Sequence, residues 1–443
     1  VGTLGCGSGD AAAGDTDSAS SAATGSTDPE TDGAAATGDA TGTSSAGSTT
    51  GASGIPSTGG AATGAAATGS GGGSDTGDSG DGAWEWTLPD GVAPPPVPAD
   101  NPMSAAKVEL GRRLFYDVRL AQNSSQSCGS CHVQALAFAD GRDRPVGSTG
   151  ELHPRNSQGL VNTAYAARLT WANPVLATIE RQIPVPMFGE SPVELGITDI
   201  DAMLARLAAD PAYAPLVAAA FPDAPELTLA HVIDSLACFV RALVSFDSPY
   251  DRWLAGDAAA LSDAAIRGEA LFFSERLRCG ECHSGRLLQA GTVDSATTDP
   301  PEPRFENTGQ YSLDPDGRYP YPNFGLFEFT AEPADMGRFR PPSLRNVALT
   351  GPYMHDGSVA TLEAVIRNYA AGGRQTAAGP NAGDGRLNPH KSPLVTGFAI
   401  TDAEVADVVA FLEALTDPAI TTDPRFSDPF VGGDRPGGGG SPR

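Results

Sequence analysis

Lysine is nearly missing from this sequence: Lys107 and Lys391 are the only two, and arginine supplies the rest of the 28 basic residues set against 54 acidic ones. The formal net charge of −26 excludes a nucleic-acid binder, because gripping a phosphate backbone needs concentrated positive charge. Long apolar runs are also missing. Nothing approaches the ~18 uninterrupted apolar residues of a membrane span. The most apolar stretch, Thr228 to Phe246, is interrupted by His231, Asp234 and Arg241 and reads as a buried amphipathic helix. No convincing period-two alternation marks half-buried strands.

The first 82 residues lack Lys, Arg, Phe, Trp and Tyr altogether and carry ten acidic residues. So polar a segment of small residues buries too little apolar surface to offset its ordering entropy, which predicts a disordered tether over 1–82. Thr3-Leu4-Gly5-Cys6 resembles the end of a bacterial lipoprotein signal. That predicts lipidation of Cys6, export, and a periplasmic protein anchored by lipid rather than by a transmembrane span. The Gly-rich end, 434–443, reads as a flexible tail.

What remains is a mainly α sequence. Ser104 opens a helix running to Asp117, Ser262 one ending at Phe273, and Thr361 one through Tyr369 that Gly372-Gly373 closes. Thr401-Asp402-Ala403-Glu404 is a capping box ahead of an apolar stripe. One unit occurs twice. Gly111-Arg112-Arg113-Leu114-Phe115-Tyr116 precedes Cys128-Gly129-Ser130-Cys131-His132, and Gly268-Glu269-Ala270-Leu271-Phe272-Phe273 precedes Cys279-Gly280-Glu281-Cys282-His283. We read a duplication, with one haem domain over 83–247 and a second over 248–433.

Cys-x-x-Cys-His is the signature of covalent c-type haem: two thiols reach the vinyl groups and the adjoining imidazole binds iron. Zinc modules place their cysteine pairs ~15–20 residues apart, whereas Cys131 and Cys279 stand 148 apart. Cys128, Cys131, His132, Cys279, Cys282 and His283 are therefore the expected haem-binding residues. Cys238 reads as a buried inert thiol. An electron carrier needs little more than ~100 residues per haem; the extra sequence favours an enzyme.

Three runs carry a resemblance: Leu110 to Asp117, Ser248 to Trp253, and Phe339 to Ser358. From about residue 100 to 430 the chain resembles the bacterial di-haem cytochrome c peroxidase superfamily. Gly147 to Ser157, Pro186 to Gly196 and Asp335 to Arg340 bring it nearest the MauG/MbnH type. That resemblance implies reaction with H2O2 at the N-terminal haem and a charge-shared bis-Fe(IV) state. It also implies oxidation of a tryptophan in a partner protein, to kynurenine in the MbnH case, with a copper-binding protein encoded nearby as the candidate partner. The alternative is a cytochrome c peroxidase reducing H2O2 with electrons from small donor proteins; a non-catalytic electron-transfer cytochrome is the third reading.

By position, the resemblance makes Glu194 the distal carboxylate, a group able to take a proton from peroxide and return it to the leaving oxygen, with Glu190 as runner-up. Trp171 falls on an inter-haem tryptophan, and Asn156, Thr350 and Pro352 on the ligands of a Ca²⁺ between the haem domains. Ser148 stands nearest the place where peroxidases carry a second histidine over His132, implying an open first iron; His153 reads as a pocket residue. Tyr369, fourteen residues after His355, falls on the sixth ligand of the second haem, ahead of Met336, Met354, His355 and His390. Tyrosinate favours oxidised iron, whereas methionine favours a high potential. His355 reads as a hydrogen bonder near a haem propionate, and His231 and His390 as structural.

Overall fold

Side-chain caps fix where the main helices begin. In the computed structural model, which describes residues 84–430, Ser104 accepts a hydrogen bond from the Lys107 N–H at 3.2 Å and opens helix Ala105–Tyr116. Thr228, Ser262 and Thr361 cap Leu229–Ala242, Asp263–Phe272 and Leu362–Ala370 in the same way. Thr401 and Glu404 close a reciprocal box on Asp402–Glu413. These are the helices that the sequence predicts. The tether over 1–82, Cys6 and the C-terminal tail over 434–443 lie outside the described residues.

The helix expected to reach Phe246 stops at Ala242. Asn162 is the reason: its side chain exchanges two 2.9 Å hydrogen bonds with the backbone of Ser245, and its N–H donates to Leu243 O. Those bonds replace a further helical turn. Shorter helices at Ile200–Ala208, Tyr213–Ala220 and Pro249–Leu254 complete the frame. Among the described residues the strands amount to one two-residue antiparallel pair, Gln375–Thr376 with Gly383–Asp384. No described helix is long and apolar enough to cross a membrane.

The duplication is structural. Ala105–Tyr116 crosses Leu229–Ala242, and Asp263–Phe272 crosses Asp402–Glu413. At each crossing a glycine lies against backbone. A Cβ on Gly111 would meet Ser235 O at 1.9 Å, and one on Gly268 would meet Asp407 O at 1.9 Å. In both halves an aromatic residue at the end of the first helix then lies beneath the glycine of the Cys-x-x-Cys turn: Tyr116 under Gly129 and Phe273 under Gly280. Asn162 and Asn346 repeat as well. Each has φ near +61°, precedes a short 3-10 turn, and donates its N–H to a leucine carbonyl, Leu243 and Leu415 respectively.

Two apolar cores result, one built from residues between Val108 and Leu243, the other from residues between Tyr250 and Leu415. The chain then returns to the first: Ile420 and Phe426 are buried in that core, and Phe426 O accepts from the Tyr116 hydroxyl at 2.7 Å. A third, aromatic cluster of Ala172, Tyr311, Tyr319 and Phe339 has Trp171, Phe324 and Met336 packed around it.

Adding a methyl at Gly111 tests the crossing. Gly111→Ala lowers the unfolding free energy by about 1–3 kcal/mol through overpacking, read by equilibrium denaturation of the haem-loaded protein. Helix propensity alone would raise it by about 1 kcal/mol, so the sign decides whether the helices cross this closely.

Candidate functional site

Both Cys-x-x-Cys-His segments fold as one tight turn. In each, the histidine N–H donates back to the first cysteine's carbonyl at 3.0 Å, His132 to Cys128 and His283 to Cys279. The turn sets both thiols on the segment that presents the ring. The ring orientation is fixed by its second nitrogen. His132 Nδ1 lies 2.7 Å from Phe138 O, while His283 Nδ1 lies 3.1 Å from both Leu288 O and Pro342 O. A carbonyl partner requires the proton on Nδ1, leaving Nε2 with the lone pair a metal needs. Burial lowers the basicity of both imidazoles, His283 to about 4, so neither carries charge near neutrality.

These residues fit a covalently bound haem and do not fit the rivals. Redox cysteine pairs have depressed thiol pKa values; here burial pushes Cys128, Cys131 and Cys279 up to about 12. No group of three or more His, Cys, Asp or Glu able to hold a metal ion occurs among the described residues.

Arg345, which sequence reasoning passed over, supports the second turn. Its guanidinium pairs with buried Asp251 at 2.7 Å and donates to Arg286 O. Arg286 lies in the loop that leads to Leu288, one of the two carbonyls under His283. Breaking so buried a pair costs about 3–5 kcal/mol. Arg340 was passed over too: it is buried, faces no carboxylate, and donates to Thr170 O, Leu169 O and Gln158 Oε1. A search for the duplicate of Asn162 would have led to Asn346 and so to its neighbour Arg345.

One large cavity gathers most of the remaining candidates. Cys279, Cys282, His283, Tyr369, Trp171, Asn156, Thr350, Pro352, Met354 and His355 all line it. Tyr369 stands in the last turn of helix Leu362–Ala370, which Gly372 terminates at φ +75°. Its hydroxyl makes no hydrogen bond to any described residue, and burial beside the two thiols raises the phenol far above its ordinary range. Met354 shares the cavity; Met336 lies in the aromatic cluster. His390 is tied to Asp316 O, and His231 is stacked on Phe221.

Trp171 donates its indole N–H to Asn156 O at 2.9 Å, joining the tryptophan to the residue expected at calcium. Asn156 Oδ1 and the carbonyls of Thr350 and Pro352 accept no hydrogen bond from described residues. Three residues that can each offer a hard oxygen donor thus line one cavity. His355 is buried with its ring stacked 3.8 Å from Phe339, and its Nε2 has no partner.

The first motif faces a different environment. Glu194 lies close enough for its charge to act on both Cys128 and Cys131. Its backbone carbonyl takes the Ser148 N–H at 2.8 Å, and its Oε1 lies 3.6 Å from His153 Nε2. The side chain is 37% exposed, yet it lies in a protein-lined recess that raises the carboxyl to about 7. Burial lowers His153, so the two are not an ion pair at neutral pH. Glu190 is exposed, its backbone bridged to Val193.

A family model described as di-haem cytochrome c peroxidase matches residues 105–259. Cytochrome-c peroxidase IdrP1 of Denitromonas iodatirespirans is 39% identical over 76% of this chain and 89% of its own. The methylamine utilization protein MauG of Methylorubrum extorquens is 35% identical over 75% of this chain and 84% of its own. A crystal structure of a MauG-like protein associated with microbial copper homeostasis is 50% identical, with a TM-score of 0.77 over 79% of this chain and all of that one.

Proposed function

The chain belongs to the di-haem cytochrome c peroxidase family, and within it we propose an H2O2-dependent oxidoreductase of the MauG type that oxidises a tryptophan of a partner protein. Haem bound at the two motifs supplies iron that reacts with peroxide and holds the resulting oxidising equivalents. The rest of the work falls to the protein's own groups.

Glu194 is the proton-handling group at the first motif. A carboxyl near pKa 7 is suited to taking one proton and giving it back at working pH. His153, neutral beside it, fills the recess without competing as a cation. Trp171, anchored through Asn156 O, offers an oxidisable ring at the wall of the cavity beside the second motif. Asn156 Oδ1, Thr350 O and Pro352 O would hold a Ca²⁺ there, with water completing the shell. Compartment and anchor stay as the sequence suggests: an exported, periplasmic protein lipidated at Cys6.

The observation that carries the reading is Tyr369: a half-buried phenol with no hydrogen-bond partner among the described residues, lining the same cavity as His283. A phenol so placed keeps its proton in the absence of a cation, and Tyr369 would hold the iron of a haem attached at the second motif. An anionic oxygen ligand stabilises oxidised iron, which suits storing oxidising equivalents rather than accepting electrons from a donor cytochrome. The donor-driven peroxidase reading draws on Met354, which shares the cavity, and on the name of the 39% identical relative.

Two results bear on this directly. Incubating the haem-loaded enzyme with H2O2 and a copper-binding protein encoded beside it yields a partner whose tryptophan carries the kynurenine mass change. An unmodified partner, together with rapid oxidation of reduced small cytochromes, would favour the donor-driven peroxidase. Separately, the carboxylate form of Glu194 grows as pH rises through about 7, so the rate of reaction with peroxide, followed by stopped-flow absorbance, rises through that pH and levels above it. In Glu194→Gln the inflection disappears and the plateau falls on the order of 10²-fold or more. A wild-type rate with the inflection intact would move the role to another group.

A further inference from the structure

Tyr311 and Tyr319 form a pair of buried phenols near the cavity beside the second motif, with their ring centroids 5.6 Å apart. Both rings approach His355, at 6.3 and 6.1 Å, and Tyr319 also approaches Phe339 at 6.2 Å. His355, Phe339 and Trp171 line the cavity. A continuous set of rings therefore leads from the cavity wall to Tyr311.

The two phenols differ in what accepts their protons. Tyr319 donates to the neutral amide oxygen of Asn307 at 2.8 Å. Tyr311 donates to the Asp356 carboxylate, Oδ2, at 2.5 Å. Ser358, itself exposed, donates to the other carboxylate oxygen at 2.7 Å and connects the pair to solvent. Removing an electron from a phenol makes its proton strongly acidic. Only a phenol with a base in hydrogen-bond contact releases that proton without moving. Tyr311 has such a base and Tyr319 does not.

We propose that Tyr311 and Asp356 form a proton-coupled relay in which an oxidising equivalent comes to rest when no partner protein is docked. The proposal rests on the peroxide-driven reading above. In the step, Tyr311 gives up one electron to a peroxide-derived oxidising equivalent held in the neighbouring cavity. Its O–H bond breaks, and the proton forms a new O–H bond on Asp356 Oδ2. The products are a neutral tyrosyl radical and a neutral carboxylic acid, so charge and atoms balance. The second equivalent from the same peroxide stays where it was generated. Asp356 is prepared for this: burial raises its pKa, but the neighbouring His355 and the hydrogen bonds from Tyr311 and Ser358 outweigh that and keep it ionised.

The test freeze-quenches the full-length, two-haem enzyme after H2O2 without any partner and records its EPR spectrum, with peroxide loss measured in the same samples. The wild type gives a tyrosyl radical whose hyperfine pattern narrows when the protein is grown on ring-deuterated tyrosine. Tyr311→Phe loses that signal and Tyr319→Phe retains it. In Asp356→Asn, which keeps both rings but removes the base, the signal appears on the order of 10²-fold more slowly. Should Tyr311→Phe fail to fold, spin-trap adduct mapping on the wild type gives the same answer, with the adduct on the Tyr311 peptide. Peroxide consumed without a tyrosyl radical, an equal signal in Tyr311→Phe, or an adduct elsewhere overturns this relay while leaving the peroxide reaction standing. A wild type that does not consume peroxide removes the reading beneath it, and the relay falls with it.

Discussion

Two helix crossings too close for a side chain organise this molecule. Gly111 against Ser235 and Gly268 against Asp407 bring backbone onto backbone, and everything that bears on chemistry follows from where those helices end. Each first helix finishes in an aromatic residue that supports the glycine of the next Cys-x-x-Cys turn, so the crossing sets the height of the thiols and of the histidine behind them. The histidine's Nδ1 then meets a carbonyl, and its tautomer is fixed. Packing at a glycine thus places the turn, and the carbonyls beyond it set which ring nitrogen keeps its lone pair. Close packing transmits such constraints because interiors have few voids to absorb them.

From this common frame the halves diverge. Near the first turn lies a carboxyl raised to about 7, with a neutral histidine at 3.6 Å; proton traffic is what such a recess favours. Around the second lie an unpartnered phenol, an anchored indole and three residues that can each offer an oxygen donor, with an aromatic cluster behind them. That collection favours holding and distributing oxidising equivalents. Duplication supplies two haem-binding units of the same make; the loops after each turn decide what each unit does. The Asp251–Arg345 pair belongs to this division, because it ties down the loop whose carbonyl orients His283.

Much of the frame was legible in the sequence because its signals are local. Caps at Ser104, Ser262, Thr361 and Thr401 act within one helical turn, and the Cys-x-x-Cys-His spacing is itself a turn. The early stop at Ala242 was not legible: it comes from Asn162, some eighty residues away in sequence. The partners that set the histidine tautomers are backbone carbonyls, which carry no sequence signature. Glu194 and Tyr369 were reached by resemblance; the His153 ring beside Glu194 and the cavity that Tyr369 shares with His283 became visible only once the fold brought distant segments together. Arg340 and the Tyr311–Asp356 contact escaped for the same reason, since no motif joins residues 311 and 356.

The asymmetry between the two motifs depends most on Tyr369, so its removal is the most direct examination. Optical and EPR spectra of the ferric, two-haem protein should be compared between wild type and Tyr369→Phe, with covalent haem content measured in both. With both haems still attached in the variant, the account predicts that the spectrum of one ferric centre changes from a six-coordinate form while that of the other is retained. Superimposable spectra would contradict it, returning Tyr369 to the role of a packed aromatic and removing the basis for preferring MauG-type chemistry over donor-driven peroxide reduction.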